Sequence, residues 1–150
     1  MVKGKFLTSK DDLSEVLKIR EEVFCEEQGI AKELEHDALD DGAIHVLIND
    51  HDCNVATGRL LQLQGEYFIG RVAVRKEERG KYYGDFVVRM LVDKAFRNGA
   101  KEVKIEAQKH TIPFYKKIGF VEDGEECMKA GIPHIPMKIV QGALSCHCKK

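Results

Sequence analysis

The stretch between residues 67 and 96 constrains this chain more than any other. Tyr67 to Val74 reads as a strand that closes on Arg71-Val72-Ala73-Val74. A basic loop with glycines follows, from Arg75 to Gly84. Beyond it Phe86, Val87, Met90, Leu91, Lys94, Ala95 and Phe96 recur at helical spacing until Asn98-Gly99 stops the helix. A strand that passes into a helix through so short a loop leaves the helix's first N–H groups pointing outward, and the helix dipole adds partial positive charge there. Gly80 and Gly84 let the backbone approach an anion closely, while Arg79 and Lys81 add screening charge, so a diphosphate is a natural guest. Two other phosphate loops are excluded. Gly80-Lys81 is followed by Tyr82 where the Walker loop needs Ser or Thr, and the spacing from Gly80 to Gly84 is not that of GxGxxG.

The rest of the chain surrounds this junction with alternating elements. Residues 5–8 end a short strand. Ser9 to Asp12 offer capping side chains to a helix that carries Leu13, Val16, Leu17, Arg20, Val23 and Phe24. Residues 26–42 are acidic and without regular pattern, which reads as a lid or substrate wall or as a solvated acidic face. Residues 43–48 and 53–62 form a hairpin around the turn Asn49-Asp50-His51-Asp52, and residues 101–108 form a further strand. Residues 111–118 read as a short helix with Thr111 as cap and Pro113 in its first turn. Strands near 127–129 and 135–140 finish the pattern. The sequence shows no repeat or linker, so we expect one α+β domain over residues 1–150, its sheet mostly antiparallel, with a mobile tail from about residue 141.

Length and charge narrow the function classes. A chain of 150 residues can bury one substantial core. Its 24 Lys and Arg against 25 Asp and Glu leave a net charge of −1, which gives no general attraction to nucleic acid or to an anionic membrane. No apolar run approaches the roughly 20 residues of a membrane span, and the N-terminus has no apolar signal core, so a cytoplasmic location is expected. Five scattered cysteines read as reduced thiols. Cys146-His147-Cys148 lacks a second ligand pair, so no metal site is expected.

Two elements carry a resemblance to a known family. Arg79-Gly80-Lys81-Tyr82-Tyr83-Gly84, after its Arg-Val-Ala-Val strand, resembles the Q/R-x-x-G-x-G/A pyrophosphate loop of GNAT-superfamily N-acetyltransferases. Pro113-Phe114-Tyr115-Lys116-Lys117-Ile118-Gly119-Phe120 resembles the family's later FYxKxGF element, at the interval the family uses. Residues 131–137 and 23–28 are similar to the ElaA-like subgroup. The resemblance spans nearly the whole chain and implies the GNAT fold, a central mixed sheet of six to seven strands flanked by about four helices. Tyr82 stands where the family places its first glycine. If that position is left-handed, a side chain there costs on the order of 1–2 kcal/mol. At Lys109-His110-Thr111 many relatives carry an asparagine that contacts the cofactor, and His110 or Thr111 takes its place.

The resemblance implies an acetyl-CoA-dependent N-acetyltransferase. The pantetheine arm of acetyl-CoA would lie along the strand that contains Val72, Ala73 and Val74. The pyrophosphate would sit on the N–H groups from Arg79 through Gly80, Lys81, Tyr82 and Tyr83 to Gly84, with His110 and Phe114 completing the contacts. A primary amine of a small molecule or peptide would attack the thioester directly, and the acidic segment suits a cationic acceptor. Val72 or Val74 N–H would serve the oxyanion. Tyr115 occupies the position that protonates the departing thiolate, although a buried aromatic is the plainer alternative. The base that deprotonates the amine is open among Glu26, Glu27, Glu106 and His134, with Glu27 and His134 put forward. Arg59 and Arg71 either bind a substrate carboxylate or line the sheet. A non-catalytic acyl-CoA-binding or regulatory module on the same fold is the rival reading, favoured by Tyr82. Exposed sheet edges are compatible with a homodimer.

Overall fold

The computed structural model describes residues 1–145. Strands β1 (Lys3–Leu7), β2 (Ile44–Asp50), β3 (Cys53–Leu63), β4 (Glu66–Val74), β5 (Glu102–Gln108), β6 (Val121–Glu122), β7 (Cys127–Lys129) and β8 (Ile132–Val140) form one sheet. Their order is β1-β2-β3-β4-β5-β8-β6, with β7 also on β8. Every pairing is antiparallel except β4 with β5. That parallel pair follows from the crossover made by helix α3 (Tyr83–Arg97), because two parallel neighbours need a long return between them. The other helices are α1 (Ser14–Arg20), α2 (Lys32–Glu35) and α4 (Ile112–Ile118). The expected mixed sheet is therefore present, and the short β6, which the sequence reading did not include, raises its strand number to eight.

Local chemistry sets the connections. His51 and Asp52 both have positive φ, 52° and 62°, the geometry of the tight hairpin turn that joins β2 to β3. The Asp12 carboxylate accepts from Ser14 N–H at 2.9 Å and so caps α1 from outside the helix. Thr111 does not cap α4 as expected. Its hydroxyl donates backward to the Gln108 carbonyl at 2.7 Å, which ties the helix start to the end of β5 instead.

The sheet has an apolar layer on each face. On one side α3 and α4 cover Val46, Ile48, Leu60, Val103, Ile105 and Met137. Gly58 makes the approach of α3 possible, since a Cβ there would lie 2.6 Å from Val87 Cγ1. On the other side α1 and the turn that continues it lay Val16, Ile19, Val23 and Phe24 on Leu47 and Ala73. Helix α1 runs directly into a π-helical turn, Glu21–Glu27.

The acidic segment divides: Glu35, Asp37 and Asp40 turn to arginines, while Glu26, Glu33 and Asp41 stay exposed as on a solvated face. Glu35 and Arg20 are 2% and 0% exposed, and the Arg20 guanidinium grips both Glu35 oxygens and both Asp40 oxygens. Arg59 binds Asp37 and Asp40, and Arg71 binds Glu35 and Asp37. Burial pushes the Asp40 carboxyl up, but hydrogen bonds and charge from Arg20 and Arg59 outweigh it and hold the group at about 2. Arg59 and Arg71 are thereby engaged in structure, and of the carboxylates that suggested a cationic acceptor Glu35, Asp37 and Asp40 are already paired.

Residues 141–145, within the expected tail, make contacts with the body of the domain. Ser145 N–H donates to the Ile118 carbonyl at 2.8 Å, its hydroxyl donates to the Lys117 carbonyl at 2.6 Å, and Leu144 packs on the core. The Cys146-His147-Cys148 expectation lies outside the described residues.

Candidate active site

The sheet opens where the basic loop begins. Strands β4 and β5 pair only at Tyr67↔Val103, Phe68↔Lys104 and Ile69↔Ile105. Beyond that point β4 continues to Val74 and β5 to Gln108, without pairing to each other. The cause is visible in β4. Thr57 pairs with Ala73 but Arg59 pairs with Gly70, so β4 carries an extra residue against β3, and Arg71 takes φ 50° there. Such a bulge bends a strand away from its neighbour. The result is a slot lined on one side by unpaired β4 backbone. Arg75 N–H reaches Val55 O on β3 at 3.0 Å, and since strand backbone groups alternate sides, the Val74 N–H turns toward the slot.

At the mouth of this slot sits the N-terminus of α3. Gly80 has φ 83° and Tyr82 has φ 69°, so the loop closes through two left-handed residues. The first intrahelical acceptor serves Phe86 N–H, through Tyr82 O at 3.1 Å, which leaves the earlier N–H groups of the turn directed outward. A pocket of about 360 Å³ lies over them, lined by Val74, Arg79, Gly80, Tyr82, Gly84 and Phe114 among others. At Gly84 the turn lies against β4 and α4, where a Cβ would meet Val74 Cγ2 at 3.4 Å and Phe114 at 3.5 Å, both ordinary contacts. A nest of N–H groups at a 15-residue helix beside an unpaired strand edge fits a diphosphate with an extended amide-bearing arm.

The expected cofactor residues divide by role. Val72 and Val74 pack toward α3, whereas Ala73 faces α1. Tyr83 is turned into the core, where its hydroxyl donates to Asp50, so only its backbone faces a ligand. That hydrogen bond raises the Tyr83 hydroxyl to about 12 and lowers Asp50. Tyr82 is 70% exposed at the rim. Lys81 pairs with Glu78 at 3.0 Å. His110 stands exposed in the short turn after β5, and Phe114 lines the pocket.

Arg79 and Glu27 are where the structure departs most from the sequence reading. The Arg79 guanidinium donates to both Glu27 oxygens, at 2.5 and 2.6 Å, and twice to the Val74 carbonyl, at 3.1 and 3.0 Å. The charge expected on a diphosphate is thus already matched. The Arg79 hydrogen bonds hold the Glu27 carboxyl below its ordinary value, which makes it a weaker base than a free glutamate.

The remaining candidates lie on α4, on the β5–β8 pair and in the π-helical turn, and none of them lines the pocket. Tyr115 is on α4, its ring edge-on to Phe114 at 4.9 Å and to Phe120 at 5.6 Å. Burial pushes its hydroxyl well above the usual tyrosine value, so it keeps its proton and can act only as a donor. His134 lies across β5–β8 from Gln108, on the α1 side of the sheet. Its Nδ1 donates to the Ile132 carbonyl at 2.7 Å, which leaves Nε2 as an acceptor in the neutral ring. Glu106 pairs with Lys129 at 2.7 Å, and Glu26 is exposed. The sequence reading missed Gln28 and Gln108, whose side-chain amides pair at 3.1 and 3.4 Å across 80 positions of chain. No local pattern could have joined them.

A mixed sheet that splits between its parallel strands, with a helix N-terminus at the split, defines an acyltransferase fold of the GNAT class. The chain matches the Acetyltransferase (GNAT) domain over residues 9–141. It is 32% identical over 137 residues to an uncharacterized N-acetyltransferase, YjcF, of Bacillus subtilis (strain 168), covering 91% of this chain and 98% of that one. Among solved structures it is similar to an acyl-CoA N-acyltransferase from Pseudomonas aeruginosa, with 28% identity, a TM-score of 0.82 and coverage of 93% of this chain and 100% of that one. It is equally similar to Escherichia coli ElaA, with 28% identity, a TM-score of 0.81 and coverage of 93% and 99%. The chain belongs to the GNAT acetyltransferase family, and it is an enzyme of the N-acetyltransferase class.

Proposed function

We propose that this protein transfers an acetyl group from acetyl-CoA to a primary amine of a small molecule or peptide, by direct attack within a ternary complex. The observation that carries this reading is the slot between β4 and β5 opening onto the α3 N-terminus. The cosubstrate supplies an activated thioester. The backbone of Val72 to Val74 offers hydrogen bonds to its arm, and Val74 N–H is aimed to receive negative charge on the reacting carbonyl oxygen. Tyr115 is held protonated beside the pocket residue Phe114, as a donor to a departing thiolate must be. Among the candidate bases His134 suits the amine best, because its Nε2 is an available acceptor while Glu27 and Glu106 are ion-paired. Tyr82 adopts the left-handed geometry and leaves the pocket open, which favours a working cofactor loop over a degenerate one. No helix among the described residues is long and apolar enough to cross a membrane.

Calorimetric titration with acetyl-CoA, compared with adenosine diphosphate, tests the reading, followed by thiol release with a panel of amines. Saturable one-to-one binding that depends on the pantetheine arm, with amine-dependent thiol release, is the expected result. Absence of binding at millimolar acetyl-CoA would overturn it.

A further inference from the structure

Two consecutive residues at the end of the π-helical turn reach opposite sides of the slot. Glu27 holds Arg79 through two parallel N–H···O bonds, and Arg79 in turn donates twice to the carbonyl of Val74, the last residue of β4. Gln28 exchanges amide hydrogen bonds with Gln108, the last residue of β5, at 3.1 and 3.4 Å. The helix end is itself set by the wide turn. Gln28 N–H bonds Val23 O five residues back, at 3.1 Å, and Ile30 N–H bonds Phe24 O at 2.8 Å, with Val23 and Phe24 buried against the sheet. Insertions of this kind recur at functional sites because they rotate the residues that follow. The Glu27–Arg79 pair is 30% and 42% exposed, and exposed ion pairs add little to stability. Its fork geometry therefore matters for placement more than for holding the fold.

We propose that Glu27 and Gln28 form a clasp that ties the diverging ends of β4 and β5 together across the mouth of the slot and fixes its width for the acyl-CoA arm. Glu27, Gln28, Arg79 and Gln108 are then positioning residues. The diphosphate is left to the backbone of the α3 N-terminus, and the amine is left to another base. The identity of the arm rests on the acetyltransferase reading above; the clasp itself does not.

The experiment uses the full chain and the variants Arg79→Ala, Arg79→Lys, Glu27→Ala, Glu27→Gln, Gln108→Ala and the double variant E27A/R79A, with thermal melts to verify folding. In the free protein, Arg79→Ala and Gln108→Ala are expected to speed hydrogen exchange at the amides of residues 28–30 by roughly tenfold. In turnover, the same variants raise the KM for acetyl-CoA by roughly five- to fiftyfold, with the effect on KM larger than that on kcat. Arg79→Lys, which keeps the charge and loses the fork, behaves as Arg79→Ala does. The double variant is no worse than the worse single one, and the pH profile of Glu27→Gln keeps its acidic limb. Unchanged exchange, additive single variants or an unchanged KM would overturn the clasp. A Glu27→Gln enzyme that loses kcat together with the acidic limb would make Glu27 the base instead. If the wild type binds no acetyl-CoA, the acetyltransferase reading fails, and the exchange data alone then decide whether the two strand ends are tied.

Discussion

Tyr82 holds a side chain at φ 69° and ψ 14°, a backbone region in which most residues are strained and glycine is not. Its ring is 70% exposed. Tyr82→Gly is expected to stabilise the protein by about 0.5–1 kcal/mol, the strain relieved less the entropy of a glycine, as read by denaturant unfolding. Tyr115 gives the opposite kind of prediction. Its hydroxyl keeps its proton by burial and its ring is held by Phe114 and Phe120, so Tyr115→Phe should preserve packing. Loss of a general acid lowers kcat by about a hundredfold or more, with acetyl-CoA binding by calorimetry unchanged. A variant that turns over normally would make Tyr115 a core aromatic only. Both residues were identifiable in the sequence, Tyr82 as a departure from a glycine position and Tyr115 from its motif. The engagement of Arg79 by Glu27 was not, because 52 positions separate them.

At the scale of elements, residues 28–42 are held to the sheet by a buried network of charges. Removing one member leaves its partners with one counter-charge fewer in a largely shielded site. Glu35→Ala exposes this most clearly, since Arg20 is 0% exposed and donates to both Glu35 oxygens. The expected loss is about 3–5 kcal/mol in denaturant unfolding. The same network sets the acid sensitivity of the fold. Asp40 falls from an ordinary 3.8 to about 2, so its contribution of about 2 kcal/mol is complete above pH 4 and is lost as the pH falls toward 2. Asp37 and Asp50 are lowered too and act in the same direction. Asp40→Asn should therefore flatten the dependence of stability on pH between 4 and 2, measured by thermal melts. Periodicity cannot reveal such an element. Its run of Glu and Asp looks solvated until Arg20, Arg59 and Arg71 arrive from α1, β3 and β4.

Among the described residues, the sheet joins two antiparallel flanks through the parallel pair β4–β5, and the C-terminal segment braces the helical layer. Arg89 of α3 donates to the Ser145 carbonyl, Ser145 binds the end of α4, and Gln141 N–H reaches Lys101 O at 3.1 Å. Ending the chain after Val140 removes these bonds together with the partly buried Leu144. It should cost about 2–4 kcal/mol, visible as a lower Tm.

Alternation and helical spacing along the chain were enough to determine most of the strands, the amphipathic α3 and the glycine-bearing turn before it, but not α2, the π-helical turn or β6. Those determined depend on residues close in sequence, whose periods of 2 and 3.6 are written into composition. The GNAT resemblance likewise rested on short contiguous motifs. What only the tertiary structure decided are the contacts between distant positions. They include the split between β4 and β5, the pairing of Arg20, Arg59 and Arg71 with the acidic segment, the docking of residues 141–145, and the reach of Glu27 and Gln28 to two different strands. Each depends on which charged or polar groups meet once the sheet has formed. Burial then sets what those meetings are worth, and a linear pattern carries neither.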